Sequence, residues 1–262
     1  MPSPDPERVS VEVSDGVADV RLTRAGKHNG LDWAMFGALN AAIDEVGADD
    51  EARVAVLSGE GPSFCAGLDF KAFMTEGGDG EAGFARRDGE PENFAQRSAH
   101  GWRSLPVPVI AALHGNALGG GLQLALAADV RIAAPGTRMS VMEVRYGLIP
   151  DMGLSQTLPG LVRDDVAREL TYTGRVLEAE EALALGLVTR VSDDPRAEAM
   201  ELAAQIAARS PEAIRSAKRL LNEASRADAA PGLALEEELQ RALLGSPAQL
   251  AAVAEAFGAP AS

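Results

Sequence analysis

One unit recurs along the first half of the chain: a short apolar run, then small residues, then a helical pattern. Residues 54–57 and 107–113 are apolar runs, and each leads into a segment rich in glycine. Helical stretches flank both runs, which favours parallel strands joined by right-handed crossovers. We therefore predict an α/β fold, with both glycine-rich segments at strand ends that face a ligand crevice.

The N-terminal segment carries clear local signals. Residues 9–13 and 18–22 alternate apolar and polar side chains around the turn at 14–16, which is typical of a β-hairpin. Asp32 is a suitable N-cap for a helix over residues 33–46. Trp33 and Trp102 both fall on predicted helices, where core packing is the expected role.

The C-terminal part is almost wholly helical in pattern from Arg163 onward. Three amphipathic helices are expected between residues 195 and 257. We accordingly place a core domain at residues 1–195 and a helical region at residues 196–262. The apolar stripes of that region need either the core or a neighbouring subunit to pack against.

Composition narrows the classes of partner. The chain has 262 residues, of which 46% are apolar, enough for one large domain. Its formal net charge of -15 would repel phosphates and anionic lipid, so we expect neither nucleic acid nor membrane as a partner. A single cysteine, Cys65, excludes an intrachain disulfide, and the histidines lack metal-ligand spacing, so no metal is expected. No export signal or spanning segment is recognisable, which predicts a cytoplasmic protein.

The first glycine-rich segment, residues 59–70, follows the apolar run at 54–57 and is dense in small residues. Small residues let a ligand approach the backbone, and free N–H groups beyond a strand can donate to an anion. An ordinary tight turn between strand and helix is the alternative. Cys65 lies here, but no histidine is close in sequence, so a small buried residue is expected rather than a nucleophile.

The second segment, residues 114–123, leads into a helix expected over residues 119–128 and a strand at 130–133. Its three successive glycines expose N–H groups at a helix N-terminus, where the partial positive charge favours an oxyanion. Close packing of helix on sheet is an equally simple reason for the glycines.

The third segment places two carboxylates near one another. Gly147 and Pro150 break any continuous helix between Glu143 and Asp151, so the chain must turn there. Paired carboxylates suit proton shuttling, in which one takes a proton and the other returns it. Alternatively, Glu143 pairs with a surface arginine, Arg145 or Arg163, and Asp151 caps a short helix.

Residues 75–91 show neither a strand pattern nor a helix pattern. The stretch is polar and rich in helix-breaking residues, and it predicts a loop or lid. The spacing GxGxxG occurs at residues 78–83, but no strand precedes it and its acidic side chains would repel a pyrophosphate.

Four motifs, in this order along the chain, resemble the crotonase superfamily, the enoyl-CoA hydratase/isomerase family. They are FCAGLDF at 64–70, PVIAALHGNALGGGLQLALAADVRIA at 108–133, MEVRYGLIPDMG at 142–153 and EAEEALALGLVTRV at 178–191. The resemblance covers residues 9–224. It implies a crotonase-like ββα spiral with a C-terminal helical trimerisation region, an acyl-CoA thioester substrate, and a homotrimer or a dimer of trimers.

The resemblance also implies roles for particular residues. The backbone N–H groups of Leu68 and Gly120 would form an oxyanion hole for the thioester carbonyl, with Gly67 and Gly119 beside them in the substrate pocket. Two fixed dipoles stabilise the enolate oxygen without reorganising, and each is typically worth ~3 kcal/mol.

Coenzyme A enters such a site as part of the substrate, so no separate cofactor is expected. By the same resemblance, Lys71 and the loop around Lys27 and Ala66 hold its adenine end.

The expected reaction depends on three side chains. Hydratases of this family usually hold glutamates at the positions of Gln123 and Glu143, and a glutamine is neither an acid nor a base. Dienoyl-CoA isomerases resemble this chain in the carboxylates at Glu143 and Asp151, with an aspartate in place of Gln123. We therefore favour double-bond isomerisation in acyl-CoA catabolism, with Glu143 as base and Asp151 as acid. A hydratase, or a catalytically silent protein that binds CoA esters, is the alternative.

Overall fold

The computed structural model describes residues 7–75, 83–224 and 227–257. The strands of these residues are β1 (Val9–Ser14), β2 (Val17–Leu22), β3 (Val54–Gly59), β4 (Val109–Leu113), β5 (Asn116–Leu118), β6 (Val130–Ala133), β7 (Arg138–Ser140) and β8 (Arg190–Val191). The helices are α1 (Trp33–Ala48), α2 (Phe70–Thr75), α3 (Phe94–Ser104), α4 (Gly120–Leu126), α5 (Leu154–Thr157), α6 (Asp164–Thr173), α7 (Ala179–Leu185), α8 (Pro195–Ala207), α9 (Pro211–Glu223), α10 (Ala229–Leu243) and α11 (Pro247–Ala256). Short 3-10 turns lie at Ala25–Lys27 and Glu143–Tyr146.

The described strands form a main sheet in the order β1-β2-β3-β4-β6-β8 and a small parallel sheet of β5 and β7. Strands β1 and β2 pair antiparallel, and the other neighbours in the main sheet pair parallel, as predicted. The hairpin turn uses Asp15 and Gly16, both at positive φ, which matches the twist of the flanking strands. Strand β4 begins at Val109, two residues later than predicted, because Pro108 has no N–H to join a ladder.

Helix α1 begins as the sequence indicates. The N–H of Met35 donates a 2.7 Å hydrogen bond to Oδ1 of the cap residue Asp32. The other carboxylate oxygen of Asp32 pairs with Arg8 and with Arg24, each at 3.0 Å, so this buried charge is compensated. The helix runs to Ala48, two residues beyond the prediction, and buries one face against the sheet.

Helix α8 covers the opposite face of the sheet. Ala199, Ala203 and Ala207 recur every four residues and pack on Val54 and Ile110. The division between residues 195 and 196 stays a prediction; it falls after the first residue of α8, and this helix packs on the sheet.

The structure describes four helices after residue 194, α8 to α11, where we predicted three. Ser210 and Ser246 each accept a hydrogen bond from the helix that follows them, and a proline stands at the first position of both helices. These Ser-Pro pairs divide the helical pattern into shorter pieces than its periodicity indicates. Helix α11 buries none of its residues, and trimerisation through this region stays a prediction.

Part of the predicted lid, residues 76–82, lies outside the described residues, and so does most of the GxGxxG spacing. Beyond this gap, Arg86 pairs with Asn93 in an isolated β-bridge, and Asn93 then caps α3. No helix in the described ranges is long and apolar enough to cross a membrane.

Candidate active site

A cavity of about 330 Å³ lies where the glycine-rich segments meet. Eight of the residues singled out in the sequence line it: Ala66, Gly67, Leu68, Gly119, Gly120, Gln123, Glu143 and Asp151. Its size is at the lower end of the range for small-molecule sites. Residues from three separate segments of the chain thus share one pocket.

A short parallel pairing brings the first two segments together. The N–H of Cys65 donates to the carbonyl of Asn116 at 2.9 Å, and the N–H of Leu118 donates to the carbonyl of Cys65 at 3.1 Å. A Cβ on Gly121 would overlap that Cys65 carbonyl, so this close approach requires glycine. The pairing sets residues 67 and 68 beside residues 119 and 120.

Two backbone amides face the cavity without an internal partner. In the described ranges, neither Leu68 nor Gly120 donates its N–H to a backbone carbonyl. Gly67 holds φ at +86°, and a Cβ built on it would lie 3.6 Å from the Gly120 nitrogen and 2.5 Å from the Leu118 oxygen. Gly120 is the first residue of α4, where an N–H has no intrahelical acceptor. Both amides are therefore available to an oxygen in the cavity, as the proposed oxyanion hole requires.

Gln123 links the third segment to the other two. Its side chain is buried on α4, and its Oε1 accepts a 2.8 Å hydrogen bond from the N–H of Met152. Because that N–H can only donate, the amide orientation is fixed and Nε2 faces Glu143. Nε2 donates to Oε1 of Glu143 at 2.6 Å.

The second oxygen of Glu143 is unpaired. Oε2 is buried and accepts no hydrogen bond from the described residues. A Cβ on Gly119 would lie 3.5 Å from Oε1 of the same carboxylate, which places the carboxylate next to the oxyanion segment. A buried carboxylate oxygen with free lone pairs is suited to accept a proton from a ligand.

Partial desolvation raises the pKa of both carboxyl groups. Desolvation raises the pKa of Glu143 above its ordinary value; the hydrogen bond from Gln123 opposes this rise, and the charge of Asp151 adds to it. Desolvation also raises the pKa of Asp151. Both pKa values thus shift towards the neutral form in one partly desolvated site, which suits groups that take up and release protons.

The surface alternative for these carboxylates is wrong. Glu143 faces Gln123, whereas Arg163 pairs with Asp165 at 2.8 Å. Asp151 caps no helix, since α5 begins at Leu154 with Gly153 as its cap residue.

An aromatic wall, which we define as Trp33, Phe36 and Phe73, lines the same cavity. Ring centroids lie 4.6 Å apart for Trp33 and Phe73, 5.8 Å for Trp33 and Phe36, and 6.1 Å for Phe36 and Phe73. We expected Trp33 to pack in the core; it lies at the edge of the core, on the cavity wall. Helical periodicity cannot reveal this role, because the wall forms only when α2 brings Phe73 against α1. Trp102 is fully buried, as expected.

The residues predicted to bind coenzyme A lie on neighbouring segments. The N–H of Ala66 donates to the carbonyl of His28 at 2.9 Å, which joins it to the loop that carries Lys27. Arg24 pairs with Asp69 at 2.8 Å and so ties that loop to the start of α2, where Lys71 lies. Both lysines are exposed and neither lines the cavity. A role in holding the adenine end stays a prediction.

Cys65 is not a nucleophile of this site. Its thiol is fully buried and donates to the carbonyl of Asn29 at 3.1 Å. Burial raises the pKa of the thiol to about 12, so the reactive thiolate is scarce at neutral pH. In the described part of the chain, no group of three or more His, Cys, Asp or Glu side chains is arranged to hold a metal ion.

Comparisons with known proteins agree with this arrangement. Residues 12–250 match the model of the enoyl-CoA hydratase/isomerase family. Human mitochondrial methylglutaconyl-CoA hydratase is 34% identical over 86% of this chain and 67% of its own length. Human mitochondrial Delta(3,5)-Delta(2,4)-dienoyl-CoA isomerase is 33% identical over 82% of this chain and 69% of its own length.

A solved structure shows the same fold. The crystal structure of enoyl-CoA hydratase from Bacillus anthracis superposes with a TM-score of 0.86 at 30% identity, covering 97% of this chain and 98% of that one. The expected crotonase-like α/β fold is thereby confirmed. The family match, the relatives and the shared fold together show that this chain belongs to the enoyl-CoA hydratase/isomerase family of the crotonase superfamily.

Proposed function

We propose that the protein moves a double bond within the acyl group of an enoyl- or dienoyl-CoA thioester. One observation carries the proposal: Glu143, which has an unpaired carboxylate oxygen, and Asp151 line the same cavity as Leu68 and Gly120, whose backbone amides have no partner among the described residues. That combination supplies a base, an acid and a site for negative charge.

The amides of Leu68 and Gly120 are proposed to bind the thioester oxygen. Removal of a proton from the acyl chain leaves an electron pair that spreads through the conjugated system onto this oxygen. Each backbone donor aimed at such an oxygen typically contributes ~3 kcal/mol to transition-state stability. Both donors are fixed before substrate binds, so they need no reorganisation.

The two carboxylates divide the proton transfers. Ionised Glu143 takes a proton from a carbon of the acyl chain and becomes neutral. Protonated Asp151 then gives its proton to a carbon farther along the chain, the double bond moves, and no atom is added. Proton exchange with water restores the starting state. The raised pKa of Asp151 supports the neutral form that this cycle needs at its start.

Gln123 supports isomerisation over hydration. Hydration needs groups that hold and deprotonate a water molecule, and the Gln123 amide, held between Met152 and Glu143, exchanges no proton. Hydration remains the second candidate because a relative at 34% identity is named as a hydratase, close to the 33% of the named isomerase.

A paired substrate assay tests the proposal. The protein is incubated separately with a 3,5-dienoyl-CoA and a simple trans-2-enoyl-CoA, and products are followed by mass and by ultraviolet absorption. Isomerisation leaves the mass unchanged and alters the absorption, and in D₂O it incorporates deuterium into the acyl chain. Formation of a product heavier by one water from the enoyl thioester, with the dienoyl thioester untouched, would replace the proposal by hydration. No conversion of either, with tight binding of both, would indicate a silent binding protein.

A further inference from the structure

We propose that the site accepts an uncharged acyl group and rejects an acyl group that ends in a second carboxylate. The inference rests on the proposed function and deepens it by naming the class of acyl thioester. It follows from the charges around the cavity rather than from the proton-transfer residues alone.

The described residues of the cavity wall carry no positive charge. Among the described residues that line it, none is a lysine, an arginine or a histidine. A carboxylate on the acyl group would therefore find no ion-pair partner at the wall.

The acidic residues that line the cavity offer a carboxylate no attraction. Ionised Glu143 repels it, protonated Asp151 carries no charge, and the aromatic wall of Trp33, Phe36 and Phe73 is largely apolar. An unpaired carboxylate moved from water onto apolar surface loses its hydration without compensation. The same wall stabilises an uncharged chain, because aromatic and aliphatic groups bury each other's surface.

Two arginines on segments next to the cavity, Arg24 and Arg145, have their side chains in other contacts. Arg24 pairs with Asp32 at 3.0 Å and with Asp69 at 2.8 Å. Arg145 follows Glu143 in the same 3-10 turn, but it is exposed and its side chain lies against Gly174, within 3.2 Å of where a Cβ would be. Neither side chain lines the cavity, so neither compensates a ligand carboxylate there.

Binding of two saturated thioesters tests the inference without turnover. Hexanoyl-CoA and the mono-CoA thioester of hexanedioic acid have six acyl carbons each and differ in a methyl against a carboxylate at the far end. We expect calorimetry at neutral pH to give a Kd roughly 100-fold weaker for the diacid thioester. Values within about threefold of each other would overturn the inference.

A matched pair of variants tests whether the preference for hexanoyl-CoA arises at the cavity wall. Leu148 lines the cavity and is 47% exposed, whereas Leu183 on α7 is 42% exposed and does not line it. We expect Leu148→Arg to reduce the preference for hexanoyl-CoA and Leu183→Arg, with the same net charge, to leave it unchanged. An equal change in both variants would mean that overall charge, not the wall, sets the preference, and would overturn the inference.

The two proposals fail separately. If the preference holds but no thioester is isomerised, the proposed reaction is wrong and the uncharged-acyl site stands. If dienoyl-CoA is isomerised but the two saturated thioesters bind alike, the reaction stands and this inference is wrong.

Discussion

The side-chain amide of Gln123 donates a 2.6 Å hydrogen bond from Nε2 to Oε1 of Glu143. The oxygen of the same amide accepts the N–H of Met152, the residue after Asp151. One neutral side chain thus ties together the two turns that carry the carboxylates. It orients Glu143, whose second carboxylate oxygen accepts no hydrogen bond from the described residues.

Loss of the Glu143 carboxylate should abolish most of the turnover. Glu143→Gln keeps the size of the side chain but removes the base, so we expect kcat to fall by roughly 10²–10⁴. Steady-state kinetics on the dienoyl thioester measures the effect. The control is Glu180→Gln, the same change at an exposed position on α7, which should keep wild-type kcat. A Glu143→Gln protein that retained half of its activity would remove Glu143 from the mechanism.

The same substitution should change how stability depends on pH. The folded-state pKa of Glu143 is raised above its ordinary value of 4.5, so the folded protein holds this proton more tightly than the unfolded chain does. The wild-type free energy of unfolding therefore falls, relative to that of Glu143→Gln, as pH rises from 4.5 to the raised folded-state pKa. Above the folded-state pKa the difference is constant. Urea unfolding of both proteins over this window checks the sign. A wild-type free energy of unfolding that rises with pH relative to that of Glu143→Gln would contradict it.

Gln123→Glu should move the acid limb of the pH–rate profile upward. The substitution replaces a hydrogen-bond donor by a second acidic group beside Glu143, so the pKa of the base rises further. We expect kcat/KM to need a higher pH to reach its plateau. Gln205→Glu, an exposed change on α8, is the control for added charge. Profiles of wild type and Gln123→Glu with the same acid limb would show that Gln123 does not influence the base.

Gly67→Ala should separate backbone strain from loss of the Leu68 amide. Gly67 and Gly89 have φ of +86° and +83°, but only a Cβ on Gly67 meets an obstacle, the Leu118 oxygen at 2.5 Å. Both alanine variants should lose about 1–2 kcal/mol of stability, because a side chain disfavours this conformation, and Gly67→Ala should lose more because its Cβ overlaps the Leu118 oxygen. Only Gly67→Ala should also lose roughly 10²–10³ in kcat, through displacement of the amide. Equal kcat in the two variants, with both folded, would argue against the oxyanion role.

The sequence by itself determined the local elements and the segments that carry chemistry. The Asp15-Gly16 turn, the Asp32 cap and the apolar runs at 54–57 and 107–113 each depend on residues close together in the chain. Propensity, capping and periodicity act over that same short range, so they are readable without coordinates. Element ends were less predictable, since Ser246 and Pro247 divide a helical pattern that periodicity joins.

Only the tertiary structure decided which of these segments meet. The pairing of Cys65 with Ala117 aligns the Leu68 and Gly120 amides, and no local pattern specifies that register. Gln123 orients Glu143 because folding brings the two side chains into contact, although they are twenty residues apart in the chain. Such contacts depend on the packing of the whole sheet and its helices, which fixes distances between groups that are remote in sequence.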